Sequence, residues 1–210
     1  MKRLIHITAL SAVALIFFTG IFSPTECYSE DKIEVTLKTS MGNIVLELNR
    51  EKAPITVANF LQYLNDGFYD GTIFHRVVNG PFFIIQGGGL DEYMNRKATR
   101  SPIVNESYNG LSNTAHTIAM ARTSQPDSAT SQFFINFKDN SAAFDRTEQN
   151  PGYAVFGRVI QGTDVVEAIG TVRTMTISGY NDVPAKTIYI GDGGGSSSDD
   201  STCFLGTLLK

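Results

Sequence analysis

The sequence predicts a mainly β domain closed, or nearly closed, into a barrel and carrying two helices. Three features predict it: short apolar stretches separated by Gly, Asn, Asp and Ser recur along the chain, only two segments show helical spacing, and no internal repeat divides it. With so many strands and so few helices to cover them, closure is the way to remove exposed strand edges.

Taken in order, the alternation of Ile33, Val35 and Leu37, then Ile44, Leu46 and Leu48, around Ser40-Met41-Gly42-Asn43 reads as a β-hairpin. Pro54 opens a helix with Val57, Phe60, Leu61 and Leu64 at helical spacing, stopped near Asn65-Asp66-Gly67. Phe74 to Gly89 (FHRVVNGPFFIIQGGG) sets one arginine and one glutamine into an oily stretch that ends in a triple glycine, which points to a functional cleft. Strands are expected at Thr117 to Ala121, Gln132 to Asn136, Ala154 to Val159 and Thr187 to Ile190. The second helix runs from Asp164 to Ile169, with Thr163 or Asp164 as its cap and Gly170 as its stop. Alternation along the second of these strands puts Gln132, Phe134 and Asn136 on one face and Phe133 and Ile135 in the core. The triple glycine lacks a GxGxxG or Walker continuation, so it reads as a turn that needs small residues rather than a phosphate cradle.

At 210 residues, 42% hydrophobic and 18% charged, the chain suits one globular domain with terminal extras. A net charge of −4 and the lack of any Lys/Arg-rich run beyond the N-terminus argue against nucleic acid as a partner. Phe74 to Gly89 and Ser131 to Asn136 hold no paired carboxylates, no metal-ligand cluster and no serine or cysteine beside a histidine. The chemistry therefore needs no nucleophile, no metal and no cofactor.

Lys2 and Arg3, the apolar run Leu4 to Phe22 and the polar exit Ser23-Pro24-Thr25-Glu26 have the layout of a secretory signal, with Cys27 and Ser29 permitting cleavage before Glu30. Ser, Thr and Gly interruptions make the run a poor membrane span. The expected organisation is a signal peptide at 1–29, the domain at 30–190, and a Gly/Ser/Asp linker with a short Cys203-containing apolar tail at 191–210. An exported protein follows, periplasmic or secreted, with a membrane tether through either terminus as the alternative. Once Cys27 leaves, Cys203 is the one remaining thiol, and the body of the domain is cysteine-free.

Phe74-His75-Arg76-Val77, Gln86-Gly87-Gly88-Gly89, Ala119-Met120-Ala121, Ser131-Gln132-Phe133-Phe134-Ile135 and Val155-Phe156-Gly157, in this order, make the chain resemble the cyclophilins, in particular their bacterial exported branch. The match runs from about Ile33 to Ile190. The resemblance implies a closed eight-stranded antiparallel barrel capped by two helices, and peptidyl-prolyl cis/trans isomerase activity on proline-containing polypeptides, by a monomer. Carried over by position, Arg76 looks like the catalytic arginine, Gln86 and Gln132 like the amides that hold the substrate backbone, and Phe134 like the floor of the proline pocket. Phe83, Ile84 and Phe144 look like its walls. Ala121 and Arg122 fall on the neighbouring groove, and Tyr153 stands where many members carry histidine.

Departures from the family pattern are also visible. One residue is inserted near Gly80 to Phe82, leaving Phe82 and Phe83 as rivals for the pocket; Phe83 is expected there, from strand parity counted back from Gln86. The chain has no Trp, and Ala143 stands where an aromatic often precedes the Phe144 position, so weak cyclosporin binding is expected. Arg122 replaces a frequent asparagine, and His116 replaces a frequent glycine. His75, next to Arg76 on a strand, is expected to face the opposite way and pack. A proline-segment binding chaperone or assembly module with little turnover is the rival reading, and an adaptor that works through the Cys203 tail a third.

Overall fold

A computed structural model of the chain describes residues 33–191. The expected signal peptide with its cleavage site, Cys27, the expected linker from 192 onward and the Cys203 tail lie outside the described residues.

Ten strands and three helices follow one another: β1 (Ile33–Thr39), β2 (Gly42–Leu48), α1 (Pro54–Asn65), β3 (Thr72–Asn79), β4 (Phe83–Gly87), β5 (Thr117–Met120), β6 (Phe133–Asn136), α2 (Ser141–Phe144), β7 (Val155–Gln161), α3 (Thr163–Gly170), β8 (Thr174–Ile177), β9 (Tyr180–Pro184) and β10 (Tyr189–Ile190). Eight of them close an antiparallel barrel in the order β1-β10-β3-β4-β6-β5-β7-β2, while β8 and β9 form a separate hairpin. The barrel agrees with the expected fold class. The one-turn helix α2 and the β8–β9 hairpin are additions to it.

Strand alternation fills the barrel. Leu37, Ile44, Leu46, Phe74, Val77, Ile85, Ile118, Phe133, Ile135 and Phe156 belong to a single buried cluster that α1 joins through Val57, Phe60 and Tyr63 and α3 through Val166 and Ile169. Helix α1 begins with proline, and Ala53 before it has no side chain that can cap the free N–H groups. Glu106, from a loop far along the chain, takes that role. Its buried carboxylate accepts the backbone N–H of Ile55 at 3.1 Å and of Thr56 at 2.8 Å, and the Thr56 hydroxyl at 2.7 Å. A negative charge at this end also meets the positive pole of the helix.

Helix α3 corrects the expected punctuation. Its N-cap is Gly162 in the left-handed region at φ 80°, and Thr163 and Asp164 already lie inside the helix. Gly170 is the last helical residue rather than a turn beyond it; a Cβ there would come within 2.8 Å of the Phe137 ring, so close packing accounts for this glycine. His116 is also left-handed, at φ 64°, a conformation natural to glycine, and its Nε2 lies 3.3 Å from Glu167 Oε1.

Candidate active site

The site lies on the outer face of the barrel, across β3, β4, β6, β5 and β7. Registers place Arg76 opposite Gln86, Gln86 opposite Phe134, Phe134 opposite Ala119, and Ala119 opposite Val155, so these five residues form one row across the sheet. Successive strands are about 4.8 Å apart, which puts Arg76 and Phe134 about 10 Å apart at their backbones, the span of a dipeptide and its flanking bonds.

A β-bulge aims the arginine. Pairing of β3 with β4 shifts between Phe74 and Arg76, and Phe74 and Val77 both enter the core cluster although they are three residues apart. His75 and Arg76 are therefore left together on the outer side, which overturns the expectation that His75 faces away from its neighbour. Bulges are a recurrent device for re-aiming a side chain beside a site. His75 still packs, as expected. It is buried, its Nδ1 has no hydrogen-bond partner among the described residues, and burial holds its imidazole down at about pKa 4, against the opposing pull of the Ile73 backbone and with the nearby Arg76 and Arg96 guanidinium groups pushing the same way as burial.

Next to the row stands a box of aromatic rings. Phe134 meets Phe144 at 5.5 Å and Tyr153 at 5.4 Å between ring centroids, both edge-to-face; Phe144 lies 5.1 Å from Tyr153 and 5.2 Å from Phe82. Val78, Ile84, Leu111, Ala119, Ala121 and Val155 complete this second apolar cluster. It is separate from the interior of the barrel, and it opens outward. A guanidinium stands at each end of the ring series: Arg76 with its Cζ 5.7 Å from the Phe82 centroid, and Arg122 with its Cζ 4.5 Å from that of Tyr153.

Phe82, not Phe83, shares this box. The faces of β4 alternate, so Phe82, Ile84 and Gln86 lie on one side and Phe83 on the other, where it packs edge-to-face on Phe137 at 5.7 Å beneath Lys138. Even spacing back from Gln86 selects Phe82; the expectation of Phe83 placed an odd step on the same face.

The two glutamines meet, Gln86 Nε2 donating to Gln132 Oε1 at 3.0 Å. The triple glycine makes room for this pair. A Cβ on Gly89 would overlap the Gln132 side chain, which lies along the glycine backbone. Arg122 is held down, donating from Nε to the Gly152 carbonyl at 3.0 Å and from Nη1 to the Thr123 carbonyl at 2.8 Å. Its charge thus has a fixed place on Tyr153.

Buried asparagines brace the box, and sequence reasoning did not single out their part. Asn140 accepts the Phe83 N–H at 2.9 Å, donates to the Phe83 carbonyl at 2.9 Å and to Asn136 Oδ1 at 2.7 Å, tying the start of β4 to the turn that carries Phe144. Asn113 donates to the carbonyls of Phe144 and Tyr153, each at 3.3 Å. Asp182, on the β8–β9 hairpin, brings Oδ2 to 3.7 Å from Arg76 Nε and was likewise not foreseen.

A family model described as "Cyclophilin type peptidyl-prolyl cis-trans isomerase/CLD" matches residues 34–193. Peptidyl-prolyl cis-trans isomerase A of Dickeya dadantii is 49% identical over 86% of this chain and 93% of its own length. Peptidyl-prolyl cis-trans isomerase B of Escherichia coli is 51% identical over 74% of this chain and 95% of its own. Among solved structures, a cyclophilin-type peptidyl-prolyl cis-trans isomerase of Cryptosporidium parvum superposes with a TM-score of 0.62 at 26% identity, covering 77% of this chain and 95% of that one.

Proposed function

This chain belongs to the cyclophilin family of peptidyl-prolyl cis-trans isomerases, and we propose that its reaction runs through Arg76 acting on an X-Pro bond held in the Phe82, Phe134, Phe144 and Tyr153 box. The observation that carries this reading is the row Arg76–Gln86–Phe134: a cation, an amide and an aromatic ring follow one another across three paired strands.

Rotation about a peptide bond is slow because resonance ties the nitrogen lone pair to the carbonyl, with a barrier of about 18–20 kcal/mol. No bond has to break. In the twisted amide the lone pair is localised on the prolyl nitrogen and accepts a hydrogen bond, so a donor aimed there stabilises the transition state more than either planar form. Arginine is permanently charged and carries several directed donors. Gln86 and Gln132 hold the neighbouring backbone while the aromatic box grips the proline ring, and one side of the amide turns against the other. Bringing tens of seconds to milliseconds takes a factor of about 10⁴ to 10⁵, or roughly 5–7 kcal/mol. One fixed donor supplies about 3–4 kcal/mol of that, and restraint of one end of the amide supplies the remainder.

Arg122, stacked on Tyr153, sets a fixed positive charge beside the groove lined by Ala121, which favours acidic residues flanking the proline. The basic start, apolar run and polar exit of residues 1–29 favour export, so the expected clients are unfolded or newly translocated chains. A protease-coupled assay on a proline tetrapeptide tests the mechanism. Arg76→Ala is expected to lower kcat/KM at least a hundredfold with the melting temperature unchanged; undiminished turnover removes Arg76 from the reaction.

A further inference from the structure

We propose that Asp182 is a positioning residue for this isomerase, anchoring the Arg76 guanidinium side-on so that its terminal amino groups face the substrate. The inference rests on the catalytic role of Arg76 proposed above.

Two β-bulges face each other in this region. The bulge in β3 turns Arg76 out of the barrel. The β8–β9 hairpin, which is no part of the barrel, packs through β9 against β3 and carries a bulge of its own: Met175 pairs with Val183 and Ile177 with Tyr180, leaving Thr176 opposite both Asn181 and Asp182. The surplus residue is Asp182, left-handed at φ 61°. Aspartate tolerates that region better than most residues with a Cβ but is still uncommon there, and such conformations persist where the surroundings over-determine them, often beside a working site. Its effect is to swing the carboxylate back toward β3.

The contact has a direction. Asp182 Oδ2 approaches Arg76 at Nε, at 3.7 Å. Holding a guanidinium by its inner edge fixes the plane of the fork and leaves the outer donors for another acceptor. Phe82 lies against the same group at 5.7 Å, giving it a second restraint. Beneath the pair, His75 is buried and uncharged at neutral pH, and Arg96 is the other cation acting on it. Asp182 is thus an anion set among cations where a hairpin outside the barrel meets the site.

An ordinary surface ion pair predicts a different outcome from an anchor, and kinetics separates them. Asp182→Asn keeps the residue's tolerance of positive φ and removes the charge; Asp182→Gly relaxes the backbone and removes the side chain. Both are expected to lower kcat about two- to fivefold, the range of a half-exposed ion pair, with KM and melting temperature unchanged. In an Arg76→Ala background the same substitutions are expected to have no further effect, because the group they orient is gone. Unchanged kcat in both single variants overturns the proposal while leaving Arg76 in place. Equal losses with and without Arg76 overturn it in favour of a purely structural hairpin. If Arg76→Ala alone retains full activity, the underlying reading fails instead.

Discussion

Phe82 and Phe83 are adjacent and chemically identical, yet their substitution by alanine is expected to have opposite consequences. Phe82 lies between Phe144, 5.2 Å away, and the Arg76 guanidinium, 5.7 Å away. A proline ring set against it removes about 50 Å² of apolar surface from water, worth about 1.2 kcal/mol. The cation–π contact that steadies Arg76 adds about 0.5–1 kcal/mol at a half-exposed position. Together they give about 2 kcal/mol, so Phe82→Ala is expected to lower kcat/KM about thirtyfold while costing about 1 kcal/mol of stability. Phe83 faces Phe137 at 5.7 Å and carries Lys138 over its ring, away from the site. Phe83→Ala is expected to cost about 2–3 kcal/mol of stability and to leave kcat/KM within about twofold below the melting transition. Tetrapeptide turnover and urea unfolding of both variants provide the comparison. If Phe83→Ala loses activity and Phe82→Ala keeps it, β4 presents its opposite face to the substrate and the assignment of Phe82 to the box is wrong.

Burial holds the His75 imidazole down from 6.5 to about pKa 4. The unfolded chain therefore binds a proton below pH 6.5 that the folded protein refuses until about pH 4, and stability falls across that window by about 3 kcal/mol. His75→Gln is expected to flatten this fall in urea unfolding at pH 7 and pH 4.5; an identical fall in the variant contradicts the assignment. Glu106→Ala strips α1 of its cap and leaves the Ile55 and Thr56 N–H groups without their acceptor, an expected loss of about 3 kcal/mol. Glu106→Gln retains one acceptor and is expected to lose less; equal losses would show that the amide cannot substitute at all. Cyclosporin is expected to inhibit weakly, because the exposed Ala143 leaves one side of the Phe144 wall without a ring; nanomolar inhibition of tetrapeptide turnover contradicts this.

Most of the barrel was legible because its signal is period-two alternation, strong in β1 and β2, where one face is more deeply buried than the other. Arg76, Gln86, Gln132 and Phe134 were legible as a set because polar residues stood out in an apolar run. What failed were features that alternation does not encode. The bulge after Phe74 breaks the period locally, so the direction of His75 could not be counted from Arg76. A simple count did favour Phe82 over Phe83, and its misuse shows how one odd step moves a side chain through the sheet. The β8–β9 hairpin reads poorly because Met175, Thr176, Asn181 and Asp182 are mostly exposed and lack an apolar rhythm. Asp182, Asn113 and Asn140 act by reaching across the fold to partners distant in sequence, and single-chain spacing carries no trace of that.

The most direct test of Arg76 separates binding from rotation in one sample. Exchange NMR on a labelled X-Pro peptide gives the dissociation constant and the bound-state cis/trans exchange rate together, for the wild-type protein and for Arg76→Ala. Expected is a dissociation constant changed less than about fivefold and an exchange rate lowered at least about a hundredfold, the pattern of a group that acts in the twisted state. A variant that binds far more weakly yet still exchanges at the wild-type rate once saturated would make Arg76 a binding residue and contradict the mechanism.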